Sequence, residues 1–201
     1  MNGLAPLYGV VLAGGASRRM GRDKAALEYR GRSQVAIAFD LVARHCQRAF
    51  VSVRPDQTQE PARAALPQIV DEIADTGPIA GIAAAQAAHP EAAWLVVACD
   101  LPFLGDAAIT RLVAARGDHA IVAYRSAHDG LPEPLCAIYE PSTRTAILEA
   151  IARDRRCPRK FVIESGVPLL DQAEPAALDN VNTPQDFESA VARLDTGSTP
   201  Q

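Results

Sequence analysis

The residue types best suited to chemistry lie together in residues 10–24, where an apolar run is followed by Gly14 and Gly15, two arginines and an Asp-Lys pair. Glycine lets the backbone approach a ligand closely, and successive N–H groups of such a loop bind phosphate oxygens. Arg19 and Lys24 add positive charge, the first as a planar fork and the second as a point charge. The segment is neither a Walker A loop nor the Gly-x-Gly-x-x-Gly of dinucleotide folds, and a glycine turn with solvated arginines is the alternative. The ordered run Leu-Ala-Gly-Gly, Arg-Met-Gly and Asp-Lys favours a loop that holds the phosphates of a nucleoside triphosphate.

A single aspartate, Asp100, follows the apolar run 94–98, which is typical of a buried strand. Ligands of open α/β sheets bind at the carboxyl ends of the strands, which is where this carboxylate is placed. Magnesium is held by one or two protein carboxylates together with substrate phosphates and water, so Asp100 is our candidate metal ligand. The alternative for an aspartate at this position is a turn or a cap.

A second aspartate, Asp71, ends the short apolar run 68–70. Its carboxylate accepts hydrogen bonds and donates none, which suits it to the exocyclic amine of guanine. The alternative is a helix-capping acid in the segment 71–75.

The elements that must position these residues alternate along the chain. Short runs typical of strands buried on both faces lie at residues 8–12, 49–53, 68–70, 94–98, 120–124 and 135–139. Helical spacing recurs at residues 33–46, 79–88, 106–116 and 143–153, and a capped helix is predicted over 183–194. The alternation predicts an α/β fold with helices on both faces of the sheet. We expect one domain over residues 1–194 and a flexible tail over 195–201.

The composition excludes several classes of partner. A formal net charge of -4, spread without long blocks, leaves no electrostatic footprint for nucleic acid or an anionic membrane. The apolar runs are far shorter than the ~20 residues of a membrane span and the start resembles no signal peptide, so we expect a cytoplasmic protein. The four cysteines form no close pair typical of a zinc site and are expected to be reduced and mostly buried. The four histidines share no spacing that indicates a ligand set or a triad.

The motifs resemble those of the molybdenum cofactor guanylyltransferase (MobA) family of nucleotidyltransferases. The first is the pattern Leu-Ala-Gly-Gly, two residues, Arg-Arg-Met-Gly and Asp-Lys, and the others follow in the family's order at residues 70–72, 77–81, 99–102 and 180–184. The resemblance spans almost the whole chain. It implies a three-layer α/β/α sandwich with a mostly parallel, mixed sheet, the Rossmann-like nucleotidyltransferase fold.

The resemblance also implies a reaction and the residues that perform it. The reaction transfers GMP from Mg-GTP to the phosphate of molybdopterin or the molybdenum cofactor, releases pyrophosphate and forms the guanine dinucleotide cofactor. Mg²⁺ is the implied cofactor, and transient contact with cofactor-inserting enzymes or recipient molybdoenzymes is expected. The implied nucleotide-binding residues are Leu12, Ala13, Gly14, Gly15, Lys24, Asp71 and Asp100, the catalytic residues are Arg19, Lys24 and Asp100, and the metal ligand is Asp100.

The segment Asn-x-Asn-Thr-Pro resembles the family motif near the cofactor phosphate, which implies that Asn180 and Asn182 bind the acceptor substrate. The two residues alternate in an extended segment, so we expect both amides to point to one side. The alternative for Asn182 is an Asx turn leading into the last helix. A dense basic cluster, which comprises Arg155, Arg156, Arg159 and Lys160, has two equal interpretations. In the first, the cluster contacts the phosphate of the acceptor. In the second, its cations interact with the dipole at the end of the preceding helix, which stabilises the helix by ~0.3–1 kcal/mol for each cation.

Two positions depart from the family pattern. Residues 31–34 read Gly-Arg-Ser-Gln where the family usually has Gly-Lys-Pro, and Ser52 replaces an asparagine common after the second strand. Related cytidylyl enzymes usually have Leu-Ala-Ala-Gly in the first loop, so Gly14-Gly15 and the segment 77–81 favour GTP over CTP. The alternatives are the same chemistry with CTP or with a sugar phosphate as acceptor, and a non-catalytic nucleotide-binding protein.

Overall fold

The computed structural model describes residues 3–15, 20–71, 73 and 76–196. Within them, the strands are β1 (Leu7–Leu12), β2 (Glu28–Tyr29), β3 (Arg32–Ser33), β4 (Arg48–Val53), β5 (Gln68–Val70), β6 (Ala93–Ala98), β7 (Ile121–Arg125), β8 (Pro132–Tyr139) and β9 (Leu169–Leu170). The α-helices are α1 (Gln34–Ala43), α2 (Pro78–Ala88), α3 (Asp106–Ala114), α4 (Arg144–Ala152), α5 (Pro158–Glu164) and α6 (Pro184–Thr196). Short 3₁₀ turns lie at Lys24–Ala26, Pro55–Gln57, Pro141–Thr143 and Pro175–Leu178.

A seven-stranded sheet in the order β5-β4-β1-β6-β8-β7-β9 forms the centre of the fold. Strands β5, β4, β1 and β6 are parallel to one another, whereas β8 is antiparallel to both β6 and β7. The predicted mostly parallel, mixed sheet is therefore confirmed. From β1 the chain reaches β4 on one side and, later, β6 on the other, so the gap between β1 and β6 is a topological switch point where ligands bind in such sheets.

Both faces of the sheet are covered, which explains why every residue of β6 is buried. On one face α1 and α3 contribute Val35, Leu41, Ile109 and Leu112 to an apolar cluster. On the other face α2, α4 and α5 contribute Ile79, Ile82, Ile147 and Val162. This is the three-layer α/β/α sandwich that the resemblance implies.

A third, smaller apolar cluster lies at the edge of the sandwich and joins the hairpin β2–β3 to α6. It includes Leu27 and Tyr29 from the hairpin side and Val181 and Ala190 from the C-terminal side. The hairpin, which the sequence pattern did not predict, turns at Arg30 and Gly31, both with positive φ, as its two-residue turn requires. The cluster brings the segments that carry Lys24 and Asn182 to one place.

Most predicted elements are present with shifted ends. Helix α1 ends at Ala43 rather than residue 46, α3 ends at Ala114 rather than 116, and α6 continues to Thr196, two residues beyond its predicted end. Helix α5 and strand β9 were not predicted, and residues 197–201 of the predicted tail lie outside the described residues. None of the described helices combines the length and apolarity that crossing a membrane requires.

Candidate active site

The predicted phosphate loop and the predicted metal ligand leave adjacent strands at the same edge of the sheet. Leu12, at the end of β1, is paired with Ala98 at the end of β6, and the N–H of Cys99 donates to the Leu12 carbonyl at 3.3 Å. Gly14 and Asp100 each follow two residues later. Both therefore lie at the switch point between β1 and β6, where a ligand bound by either is within reach of the other.

Hydrogen bonds fix the backbone orientation at the start of the glycine loop. The Ala13 N–H donates to the Ser52 carbonyl at 3.1 Å, and the Ala13 carbonyl accepts from Arg63 Nη2 at 2.8 Å. The carbonyl of Gly14 accepts a hydrogen bond from Arg54. In a trans peptide the N–H points opposite to the carbonyl, so these bonds direct the N–H groups of Gly14 and Gly15 to the other side. Such an arrangement leaves two donors for an anion.

Four side chains predicted to act on substrates converge beside this loop. Lys24 Nζ donates to Asp100 Oδ2 at 2.9 Å and to Asn182 Oδ1 at 2.6 Å, and Asn180 Nδ2 donates to Asp100 Oδ1 at 3.2 Å. The Lys24 and Asp100 side chains are only 17% and 18% exposed. A partly buried ion pair, with an amide hydrogen-bonded to each of its members, therefore lies at the switch point between β1 and β6. Hydrogen bonds to charged groups of this kind are stronger than those between neutral groups.

The amide of Asn182 does not cap the last helix. Asp186 Oδ2 accepts from the N–H groups of Asn182 and Thr183 at 3.0 and 2.9 Å, and Thr183 Oγ1 accepts from the N–H of Asp186 at 3.2 Å. Thr183 and Asp186 thus form the reciprocal cap at the start of α6. The alternative of an Asx turn made by Asn182 is wrong, and its side-chain oxygen binds Lys24 instead.

Comparison with known proteins gives the family. Residues 9–169 match the model of the MobA-like NTP transferase domain. The chain belongs to this family.

The chain is 34% identical over 194 residues to the probable molybdenum cofactor guanylyltransferase of Opitutus terrae, and the match covers 90% of this chain and 92% of that one. It is 37% identical over 183 residues, 90% of this chain, to the molybdenum cofactor biosynthesis bifunctional protein of Synechocystis sp., but covers only 53% of that protein. The resemblance stated from the motifs is confirmed, and the chain is a nucleotidyltransferase. It spans about half the length of the bifunctional relative.

Two solved structures share its fold. Molybdopterin-guanine dinucleotide biosynthesis protein A from Archaeoglobus fulgidus has a TM-score of 0.76 at 22% identity, with 94% of this chain and 99% of that one covered. A Mycobacterium tuberculosis protein determined in complex with manganese has a TM-score of 0.67 at 21% identity, with 94% and 100% covered. The likeness confirms the nucleotidyltransferase fold of this chain.

Asp71 lies apart from the Lys24 cluster. It follows β5, and two intervening strands place it about 14 Å from the end of β6 at the usual strand spacing. Its Oδ1 accepts from the Ile73 N–H at 3.0 Å, which closes an Asx turn. Burial raises the pKa of Asp71, although the Ile73 N–H opposes this effect. Asp71 therefore has a local structural role, and its contact with the nucleotide stays a prediction.

The glycines of the segment 77–81 have structural reasons of their own. Gly77 has a φ of +73°, which favours glycine, and begins α2 immediately before Pro78. A Cβ on Gly81 would lie 2.7 Å from Leu12 Cδ2 and 2.8 Å from Ser52 Oγ, so glycine at this position lets α2 pack closely against both side chains. Ser52 is buried beneath α2. A guanine preference based on this segment therefore stays a prediction.

A cavity of about 190 Å³ lies on the side of the site where the acceptor is expected. Asn180, Glu133 and Arg159 contribute polar groups to its lining, and Leu135, Leu178 and Pro158 contribute apolar ones. Arg159 pairs with Asp129 at 2.8 Å and with Glu133 at 3.5 Å. The cavity extends the site from Asn180 towards the basic cluster.

The helix-dipole interpretation fails for half of this basic cluster. Helix α4 ends at Ala152, whereas Arg159 and Lys160 lie in the first turn of α5, where a cation gains nothing from the dipole. Arg155 pairs with Glu164 at 2.6 Å and Arg156 with Asp154 at 2.6 Å, both at the surface.

Several predictions concern side chains outside the site. Arg19 lies outside the described residues, so its role stays a prediction. The cysteines are free thiols, two of them buried, with Cys157 exposed. His45 and His128 pair with surface aspartates, and His89 packs against Tyr8. Within the part of the chain that the structure describes, no three His, Cys, Asp or Glu side chains form a metal-binding group.

Sequence reasoning missed one residue of the site, Arg63. Its guanidinium is fully buried and binds Asp23 and the Ala13 carbonyl. A lone arginine in an alanine-rich segment belongs to no motif, and its partners lie 40 and 50 residues away. No signal in the sequence could have found it.

Proposed function

We propose that this chain transfers GMP from Mg-GTP to the phosphate of molybdopterin or the molybdenum cofactor. A phosphate oxygen of the acceptor attacks the α-phosphorus of GTP, the bond between that phosphorus and the α–β bridging oxygen breaks, and pyrophosphate leaves with the electron pair. The convergence of Lys24, Asp100, Asn180 and Asn182 beside the glycine loop is the observation that carries the proposal. The name of one relative, a probable molybdenum cofactor guanylyltransferase, supports transfer of a guanylyl group to the molybdenum cofactor.

The chemistry of the site fits a divalent cation with a preference for oxygen. Asp100 supplies a carboxylate just after a strand end. The amide oxygen of Asn182 is close to it, because both groups accept hydrogen bonds from the Lys24 ammonium. One carboxylate is sufficient for Mg²⁺, which takes its remaining ligands from phosphates and water. When bound there, the ion neutralises charge on the phosphate oxygens. The manganese complex of a protein with this fold supports a divalent cation.

The side chains of the chain align and neutralise the reactants. The acceptor phosphate is already an anion, so no general base is required, and catalysis consists of positioning and electrostatic stabilisation. Lys24 and the N–H groups of Gly14 and Gly15 bind the phosphates of GTP, and Arg19 adds a second cation. Asn180 and Asn182 orient the acceptor against Asp100. Asp71 binds the guanine amine.

A sharp test measures pyrophosphate release from GTP with purified molybdopterin. We expect turnover with Mg-GTP and little with Mg-CTP, and a loss of about a hundredfold or more in Asp100→Asn. The exposed Asp118 is the matched control, because Asp118→Asn makes the same chemical change on the surface. Full activity in Asp100→Asn would contradict the metal role.

The same assay separates the alternatives. Faster turnover with CTP would overturn the base assignment, and release with a sugar phosphate but not with molybdopterin would overturn the acceptor. Tight binding of GTP without any turnover would mark the chain as a nucleotide-binding protein. The cytoplasmic location and contact with recipient molybdoenzymes belong to the same proposal.

A further inference from the structure

Arg63 is a fully buried cation at the base of the glycine loop. Its side chain is 0% exposed, whereas that of its main partner, Asp23, is 31% exposed. Arg63 Nη1 lies 2.5 Å from Asp23 Oδ2 and Nη2 lies 2.8 Å from Asp23 Oδ1, a two-pronged contact. Glu60 accepts a further hydrogen bond from Nη1. Arginine is suited to this geometry because its donors form a rigid planar fork.

The same guanidinium reaches the glycine loop. Nη2 also donates to the Ala13 carbonyl at 2.8 Å, and this carbonyl belongs to the peptide whose N–H is that of Gly14. Because the two groups of a trans peptide point in opposite directions, a carbonyl held by Arg63 turns the Gly14 N–H away from Arg63. Arg54 holds the next carbonyl, that of Gly14, in the same manner.

Asp23 carries the effect of Arg63 to Lys24. One of its oxygens, Oδ1, also accepts from the Ala25 N–H at 3.1 Å and so caps the 3₁₀ turn Lys24–Ala26. Burial raises the pKa of Asp23, but the hydrogen bond and charge of Arg63 outweigh burial and leave the pKa lowered. The capping group is therefore an anion held by Arg63. The turn that it starts directs Lys24 towards Asp100.

Stability alone is a poor explanation for this cation. Burying a charged group costs several kcal/mol, and an apolar side chain of similar size often stabilises a protein as well or better. Among the described residues, moreover, Nε of Arg63 has no hydrogen-bond partner. A buried donor without a partner is a further cost of about 1–3 kcal/mol. The benefit that offsets these costs lies in what Arg63 holds in place.

We propose that Arg63 is a positioning residue for the phosphates of the nucleotide. It holds the Ala13 carbonyl of the glycine loop and the 3₁₀ turn Lys24–Ala26 at a fixed separation, so that the Gly14 N–H and the Lys24 ammonium face one anion together. The inference rests on the proposed binding of a nucleoside triphosphate by this loop. We therefore expect that replacing the guanidinium of Arg63 by a group without its planar set of donors weakens nucleotide affinity even when the chain remains folded.

The test is calorimetric titration of GTP into Arg63→Lys, well below the melting temperature of the variant. Lysine keeps the charge but lacks the planar fork whose two nitrogens divide the contacts with Ala13 and Asp23 between them. The matched control is Arg116→Lys, since Arg116 is a nearly buried arginine that likewise joins a backbone carbonyl, that of Ala5, to a carboxylate, Glu140. We expect both variants to melt earlier, with the GTP Kd raised about tenfold or more in Arg63→Lys and changed less than twofold in Arg116→Lys.

A second variant keeps the proposal testable if Arg63→Lys folds poorly. Asp23→Asn preserves the size of the side chain and removes its charge, and it should also raise the Kd for GTP. In the double variant the loss of binding free energy should be smaller than the sum of the two single losses, because Arg63 and Asp23 act through the same contacts. Equal Kd values in Arg63→Lys, Asp23→Asn and the unmodified chain would show a purely structural role and overturn the proposal. If the unmodified chain binds no GTP, both the proposed function and this inference fail. If it binds GTP normally and only the Arg63 expectation fails, the proposed function stands.

Discussion

The ammonium of Lys24 lies 2.9 Å from Asp100 Oδ2. The residue predicted to bind phosphate and the residue predicted to bind metal therefore contact one another directly. A cation already on the carboxylate competes with a second cation for it. Nucleotide and metal are consequently expected to bind together, since phosphates draw Lys24 away from Asp100 as the metal arrives.

Replacing Lys24 with methionine should strengthen the binding of Mn²⁺ to the protein in the absence of nucleotide. A hydrogen bond to a charged group contributes about 1.5–3 kcal/mol, so the affinity should rise roughly tenfold or more, while turnover of GTP falls. The measurement is the loss of the free Mn²⁺ electron paramagnetic resonance signal on titration. Lys160→Met removes the only other lysine of the chain and should leave Mn²⁺ affinity unchanged. Weaker binding in Lys24→Met would contradict the competition.

Replacing Asn182 with alanine should reduce turnover much more than stability. The backbone N–H of residue 182 still donates to Asp186, so the start of α6 remains capped. We expect the free energy of unfolding to fall by only about 1 kcal/mol, because the Lys24 ammonium keeps its ion pair with Asp100 and is not left unpaired. Asp186→Ala should do the reverse, lowering the urea midpoint while a folded sample keeps its GTP affinity. Comparable unfolding defects in both variants would place Asn182 among the capping residues.

The cap of α6 should give stability a defined dependence on pH. The N–H of Asn182, followed by the hydroxyl and N–H of Thr183, holds the pKa of Asp186 below its ordinary value of 3.8. A depressed pKa in the folded state means that the stabilisation is present above pH 3.8 and is lost as pH falls through the folded pKa. Urea unfolding of Asp186→Asn between pH 3 and 7 should therefore show a shallower acid decline than that of the unmodified chain. Parallel pH profiles for the two proteins would remove Asp186 from this account.

Replacing Gly81 with alanine should destabilise the fold. The added Cβ would lie 2.7 Å from Leu12 Cδ2 and 2.8 Å from Ser52 Oγ, so either these two side chains or α2 must move. Overpacking of this kind costs about 1–3 kcal/mol in the free energy of unfolding, which urea denaturation measures. Gly117→Ala is the control, because its Cβ meets nothing within 4 Å. Equal stability of the two variants would show that α2 has room to adjust, and would return Gly81 to a role in base recognition.

Residue types and their order along the chain were sufficient for much of this protein. Buried apolar runs predicted the main strands, and alanine-rich spacing predicted four of the helices, because these patterns are local and repeat with a fixed period. The capping residues 183–186 predicted a fifth helix, α6. The same local logic identified Gly14, Lys24 and Asp100, whose chemistry is visible in the side chain and in the position after a strand. Hairpin β2–β3 and strand β9 escaped prediction because a strand of two residues has no period to detect.

Tertiary structure alone decided which groups meet. Asn182 had two partners available in principle, a local cap and a distant cation, and it bonds Lys24 across 158 residues because Thr183 and Asp186 already satisfy the helix start. Arg63 became visible only when the order of β1 and β4 placed its segment under the glycine loop. Local patterns specify elements, whereas contacts between residues far apart in the chain depend on strand order and packing. The sequence by itself therefore determined the chemistry that is present, and the fold decided how those groups are paired.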